Sequence, residues 1–192
     1  MCKELINKIR QEEYTPDTVK FAVDRINEEM NLGVPVEIVR LCRSMGFSIF
    51  RQKLSSNTCG YIAVDGELKD RLGTDRIIVV NGDESSKRRR FTVAHELAHF
   101  LFDFDPNEIE FYNAFEINHN VSDDPKEIRA SRFAAELLMP AAEFTEAYNK
   151  AYAAHDGSSE QFYETVQDLS DIFLVPPKAV ELRIKKELKL HE

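Results

Sequence analysis

Cysteine is scarce in this chain, and what there is stands apart. Cys2, Cys42 and Cys59 are odd in number and form no Cys-x-x-Cys pair. This excludes a disulfide framework and a thiolate-built zinc site, and it fits a reducing compartment. No stretch approaches the roughly 20 apolar residues of a membrane span. The opening Met-Cys-Lys-Glu-Leu-Ile-Asn-Lys-Ile-Arg holds no apolar core of signal-peptide length. The expected location is therefore the cytoplasm, with no membrane partner. Positive charge is short as well: 25 Lys and Arg against 34 Asp and Glu give a net charge of −9. That argues against nucleic-acid binding by the surface at large and leaves room only for a local basic patch. Repeats and low-complexity tracts are absent. At 192 residues, 43% hydrophobic and 31% charged, the composition is that of a soluble globular protein, one domain or one domain with a small appendage.

Histidine is also rare, which makes the placing of two of the five informative. They stand in His95-Glu96-x-x-His99, inside the stretch 86–102. Residues four apart on a helix lie one above the other, with Cβ atoms about 5–6 Å apart. Two imidazoles so placed reach two corners of a zinc tetrahedron, and a glutamate directly after the first flanks the metal as a base for its water. Phe91, Ala94, Ala98, Leu101 and Phe102 add an apolar stripe at helical spacing. The competing interpretation is a buried helix whose two histidines are simply hydrogen-bonded.

Around this stretch the pattern predicts an α+β chain. Helices are expected over 3–12, from Thr15-Pro16-Asp17 to Met30, and over 35–45, where Val36, Ile38, Val39, Leu41 and Cys42 form the buried side and Gly46 the stop. Runs at 47–51, 61–64 and 76–81 are rich in aromatic and β-branched residues and read as a small sheet of about three strands, broken at Asp65-Gly66 and Asn81-Gly82. Such a sheet is either plain core or an edge along which an extended peptide lies as an added strand. Residues 103–122 read as an irregular hairpin or lid, in which Tyr112 and His119 are weak candidates for stabilising an oxyanion. Asp123-Asp124-Pro125 opens a helix that Pro140 stops. Helices near 142–153, 160–173 and 177–189 complete the chain. The first 155 residues form the main unit in this reading, with 160–192 as a helical extension. That extension is a helix-turn-helix-like DNA reader or, preferred here, a capping pair with a charged outer face.

A catalytic zinc needs three protein ligands. The remaining histidines, His119, His155 and His191, sit in no ligand-like pattern. Glu127 shares a helix face with Ala130, Ser131, Ala134 and Leu138, and small residues let two helices approach closely. It also stands where a glutamate closes a capping box on Asp124. Glu136 is the other candidate, with an ordinary i,i+4 pair to Arg132 as its alternative role. The residues favour Glu127 and leave Glu136 open.

The stretches Arg90-Phe91-Thr92-Val93-Ala94-His95-Glu96-Leu97-Ala98-His99-Phe100-Leu101 and Glu127-Ile128-Arg129-Ala130-Ser131-Arg132-Phe133-Ala134-Ala135-Glu136-Leu137-Leu138-Met139-Pro140 resemble, in this order, the two signatures of the ImmA/IrrE family of zinc metallopeptidases. The resemblance implies a minimal zincin-like domain in which His95, His99 and Glu127 bind Zn2+ and Glu96 is the catalytic base. It departs at Ser131, commonly asparagine, and at Ala98, commonly glycine; both are small replacements taken to touch no ligand. It further implies an intracellular regulatory metallo-endopeptidase whose substrate is a protein, typically a helix-turn-helix repressor. Two alternatives stand beside it: a DNA-binding transcriptional regulator, and a zinc-binding interaction protein without turnover.

Overall fold

A computed structural model describes residues 2–11, 16–104, 124–155 and 160–187. These comprise nine helices and one three-stranded sheet, an α+β arrangement as the sequence pattern predicts. The helices are α1 (Cys2–Gln11), α2 (Pro16–Met30), α3 (Ile38–Ser44), α4 (Gly66–Leu72), α5 (Ser86–Phe102), α6 (Pro125–Leu138), α7 (Ala141–Ala154), α8 (Gln161–Phe173) and α9 (Pro177–Glu187). The strands are β1 (Ser48–Gln52), β2 (Gly60–Val64) and β3 (Arg76–Asn81), in the order β1-β3-β2. β1 runs parallel to β3, and β2 antiparallel to it.

Helix α5 runs through the centre. Every residue from Thr92 to Leu101 is buried, so the helix has no solvent face along its functional turn and the expected apolar stripe is only one of its packed sides. Leu97 and Leu101 join one core with Ile9 of α1, Ile26 of α2, Leu41 of α3, Ile78 of β3, Phe133 and Leu137 of α6, Phe173 of α8 and Ile184 of α9. At the start of α5, Ser85 accepts a hydrogen bond from the Arg88 backbone N–H. Arg90 donates to the carbonyls of Val36 and Leu174, tying the helix to the turn before α3 and to the connection between α8 and α9.

Period-two alternation gives the sheet two covered faces. Ile62, Ile78 and Val80 enter the main core, while Ala63, Ile77 and Val79 pack with Tyr61, Leu54 and Leu68 in a second cluster. Leu68 belongs to α4, an element the sequence reading missed. Asp65-Gly66 resembles a hairpin turn, yet Asp65 caps a helix by accepting from the Glu67 N–H at 2.9 Å, and Gly73, at φ 73°, closes it in the left-handed region. The reason is tertiary: without α4 the outer face of β2 and β3 would lose its cover. A second correction concerns Val39. It is exposed, because α3 begins at Ile38 after a turn over 33–36 and its inner side is Ile38, Leu41 and Cys42.

Strand β2 lies against α5 at Gly60. A Cβ there would sit 2.6 Å from Thr92 Cγ2 and 2.6 Å from the Val79 carbonyl oxygen. Gly60→Ala is therefore expected to destabilise the fold by about 1–3 kcal/mol, read as a lower urea midpoint with an unchanged slope. No described helix is long and apolar enough to cross a membrane.

Candidate metal centre

Helix geometry stacks His95 over His99, with ring centroids 4.9 Å apart. Glu127 arrives from the first turn of α6, whose entry is set by Asp124 as N-cap, accepting from the Lys126 N–H at 2.9 Å, and by Pro125. Ala130 and Ala134 are buried on α6 and let it lie close to α5. Three donor atoms converge as a result. His95 Nε2 is 3.0 Å from Glu127 Oε2, His99 Nε2 is 3.3 Å from Glu127 Oε1, and the two Nε2 atoms are 3.1 Å apart. Adjacent corners of a tetrahedron with bonds of about 2.0–2.1 Å are roughly 3.3–3.4 Å apart, so these spacings, with the two Glu127 oxygens each facing one imidazole, suit one face of such a site. His95, His99 and Glu127 form the one such group among the described residues that could hold a metal ion.

The outer contacts support that use. His99 Nδ1 lies 2.7 Å from Asp103 Oδ2, a carboxylate partner that would keep a proton on Nδ1 and make Nε2 the atom offered to a metal. His95 Nδ1 lies 3.3 Å from Ser131 Oγ. The small replacement at Ser131 therefore does touch a candidate ligand, contrary to the sequence reading. Arg129 donates to Asp103 Oδ1. Asp103 and Arg129 escaped the sequence reading altogether. The four-residue step from His99 to Asp103 was a signal for the first, while the Arg129 contact crosses between helices.

Glu96 is fully buried, and neither carboxylate oxygen has a hydrogen-bond partner among the described residues. An orphaned buried carboxylate is unfavourable, and it fits a site that receives a further group beside it. Burial pushes the Glu96 carboxyl up to about 7. Burial also pulls His95 below its usual value. For His99 burial acts the same way, but hydrogen bonds with Asp103 and Glu127 outweigh it and hold the imidazolium up to about 10. Hydrogen bonds with His95 and then His99 hold Glu127 well below the usual carboxylate range. The metal-free site thus stores a proton that a metal must displace.

The Glu96 shift carries a sign. A carboxyl whose folded pKa exceeds its unfolded one binds its proton more tightly in the native state, so native stability falls as pH rises from 4.5 towards 7. In chelator, the stability of the wild type relative to Glu96→Gln should drop by about 2–3 kcal/mol between pH 5 and pH 8. Urea unfolding at the two pH values measures it.

Other candidates lie elsewhere. Glu136 accepts from Arg132 at 3.1 Å and from Lys186 of α9 at 2.6 Å, an ion network between helices. His155 sits between Glu164 and Asp168 of α8. Tyr112, His119 and His191 fall outside the described residues.

The profile of the IrrE N-terminal-like domain, a peptidase family, matches residues 42–185. The chain belongs to this family. The match contains the whole of β1 to α8, and with them His95, Glu96, His99, Asp103, Glu127 and Ser131. A search of curated proteins finds no match. As a member of the IrrE N-terminal-like family, the chain carries a peptidase-type domain, and its His-His-Glu cluster is compatible with metal binding.

Proposed function

We propose that the protein is a cytoplasmic zinc-dependent metallo-endopeptidase of regulatory type. The observation that carries this is the pairing of a three-donor triangle, both of whose imidazoles have their outer nitrogens engaged, with a buried unpartnered glutamate next in sequence to one of them. Two histidines and one glutamate are a donor set that suits catalytic zinc. In this reading His95, His99 and Glu127 are the ligands and Glu96 the catalytic base. Zinc, when bound, supplies a Lewis acid that polarises the scissile carbonyl and lowers the pKa of water to about 7. Glu96, buried and without a hydrogen-bond partner among the described residues, takes the proton of the attacking water at a carboxylate oxygen and passes it to the leaving amine. His99, fixed by Asp103, and Glu127, offered by the first turn of α6, keep the donor atoms in place. β2 is an edge strand packed against α5, where an extended substrate backbone would lie as an added strand.

The proposed substrate is a protein, a helix-turn-helix repressor encoded nearby. The C-terminal pair is read as a cap rather than a DNA reader. Arg183 is buried, 3.1 Å from Glu187 and over the Phe144 ring, while Lys186 pairs with Glu136 and Lys178 with Glu181. These contacts are those of a helix packed against α6, α7 and its own acidic neighbours, which favours the cap. The test is incubation with such a repressor: cleavage that stops in chelator and returns with zinc supports the proposal, and an intact repressor under all three conditions refutes it.

A further inference from the structure

We propose that Asp103 is a positioning residue for the metal centre, and that its pairing with Arg129 clamps together the two helices that carry the ligands. This rests on the reading of His95, His99 and Glu127 as metal ligands. Asp103 follows the last residue of α5, and its carboxylate is only 2% exposed. The two oxygens are divided: Oδ2 accepts from His99 Nδ1 at 2.7 Å, and Oδ1 accepts from Arg129 of α6. Arg129 is itself 12% exposed, and its guanidinium lies 5.5 Å from the Phe102 ring centroid.

The location is a poor one for a carboxylate. It is desolvated, and it stands at a helix C-terminus, where the dipole disfavours negative charge. Arg129 supplies the compensating charge. An arrangement of this kind adds little to stability, because desolvating both ions offsets most of their attraction. What it does add is geometry. Asp103 lies four residues beyond His99, and Arg129 two residues beyond Glu127, so a single buried ion pair sets two ligands in register across the helix interface. It also selects a tautomer. The carboxylate can only accept from Nδ1–H, which reserves His99 Nε2 for metal. Ser131 makes no such selection at His95, since a hydroxyl both donates and accepts and the contact is 3.3 Å.

The test uses the full chain, stripped of metal and titrated with zinc against a chromophoric chelator, alongside urea unfolding in excess chelator. Wild type should take up one zinc. Asp103→Ala should bind it about 10–100-fold more weakly, and Asp103→Asn, whose single oxygen can accept from His99 Nδ1–H or from Arg129 but not both, should also bind more weakly than wild type. Asp103→Ala binding as tightly as wild type, with only the unfolding midpoint lowered, would make Asp103 merely structural and overturn the proposal. So would an Asp103→Asn variant that binds zinc as tightly as wild type. Nitrogen-15 spectra of zinc-loaded wild type need no variant: the His99 proton is expected on Nδ1, and metal on Nδ1 instead overturns the clamp. Should wild type take up no zinc, the reading of the site itself fails, a result distinct from normal uptake that is indifferent to Asp103.

Discussion

Glu96→Gln should lower peptide hydrolysis by about 10²–10⁴-fold while the protein keeps its metal and its fold. The glutamine has nearly the same shape, so the packing around a side chain with no solvent exposure is retained. What is lost is a group able to take and return a proton. Glu96 is suited to that by its place: it is next in sequence to His95, fully buried, and its two oxygens have no hydrogen-bond partner among the described residues. It is absent from the cluster of His95, His99 and Glu127, whose ligand atoms lie within 4.8 Å of one another. Steady-state cleavage of a repressor or a fluorogenic peptide, with zinc content determined on the same samples, checks both halves. A variant that cleaves at the wild-type rate removes Glu96 from the mechanism. A variant that loses zinc places it among the ligands.

Glu127→Ala has the other large expected effect, the loss of stoichiometric zinc. Without Glu127 the site retains two imidazole nitrogens 3.1 Å apart, one fewer than the three protein ligands of a catalytic zinc. The drop in affinity should exceed the roughly 10–100-fold that follows from disturbing an outer contact. Glu136→Ala is the matched control on the same helix. Its carboxylate holds Arg132 and Lys186, so its removal should loosen α9 and leave zinc content at the wild-type level. Competition titrations on the two variants separate the carboxylates that the sequence left as rivals.

Much of the site was legible because its spacing is local. The four-residue step from His95 to His99 puts both imidazoles on one helix face, and Glu127 was favoured over Glu136 by its place on a face that also carries Ala130 and Ala134. The strands at 76–81 and near 60–64 were legible because short apolar, partly β-branched runs alternate between two buried faces, while β1 near 48–52 is an edge strand marked only by Ile49 and Phe50. What failed depended on contacts between distant segments. Asp65-Gly66 reads as a turn until Ala63, Ile77 and Val79 are seen to need cover, which α4 provides with Leu68. Val39 fits the apolar spacing of α3 but stands on its outer side. The partnership of Asp103 with Arg129 joins residues 26 apart in sequence, and Ser131 became a contact of His95 only when α6 was laid against α5.

The most direct measurement is anomalous diffraction at the zinc edge from crystals of the protein grown with zinc. One peak is predicted, at about 2.0–2.2 Å from His95 Nε2, His99 Nε2 and a Glu127 carboxylate oxygen, with Glu96 beside it and not bound. A zinc peak held by other residues, or a site still empty at saturating zinc in protein that cleaves its substrate, would contradict the account.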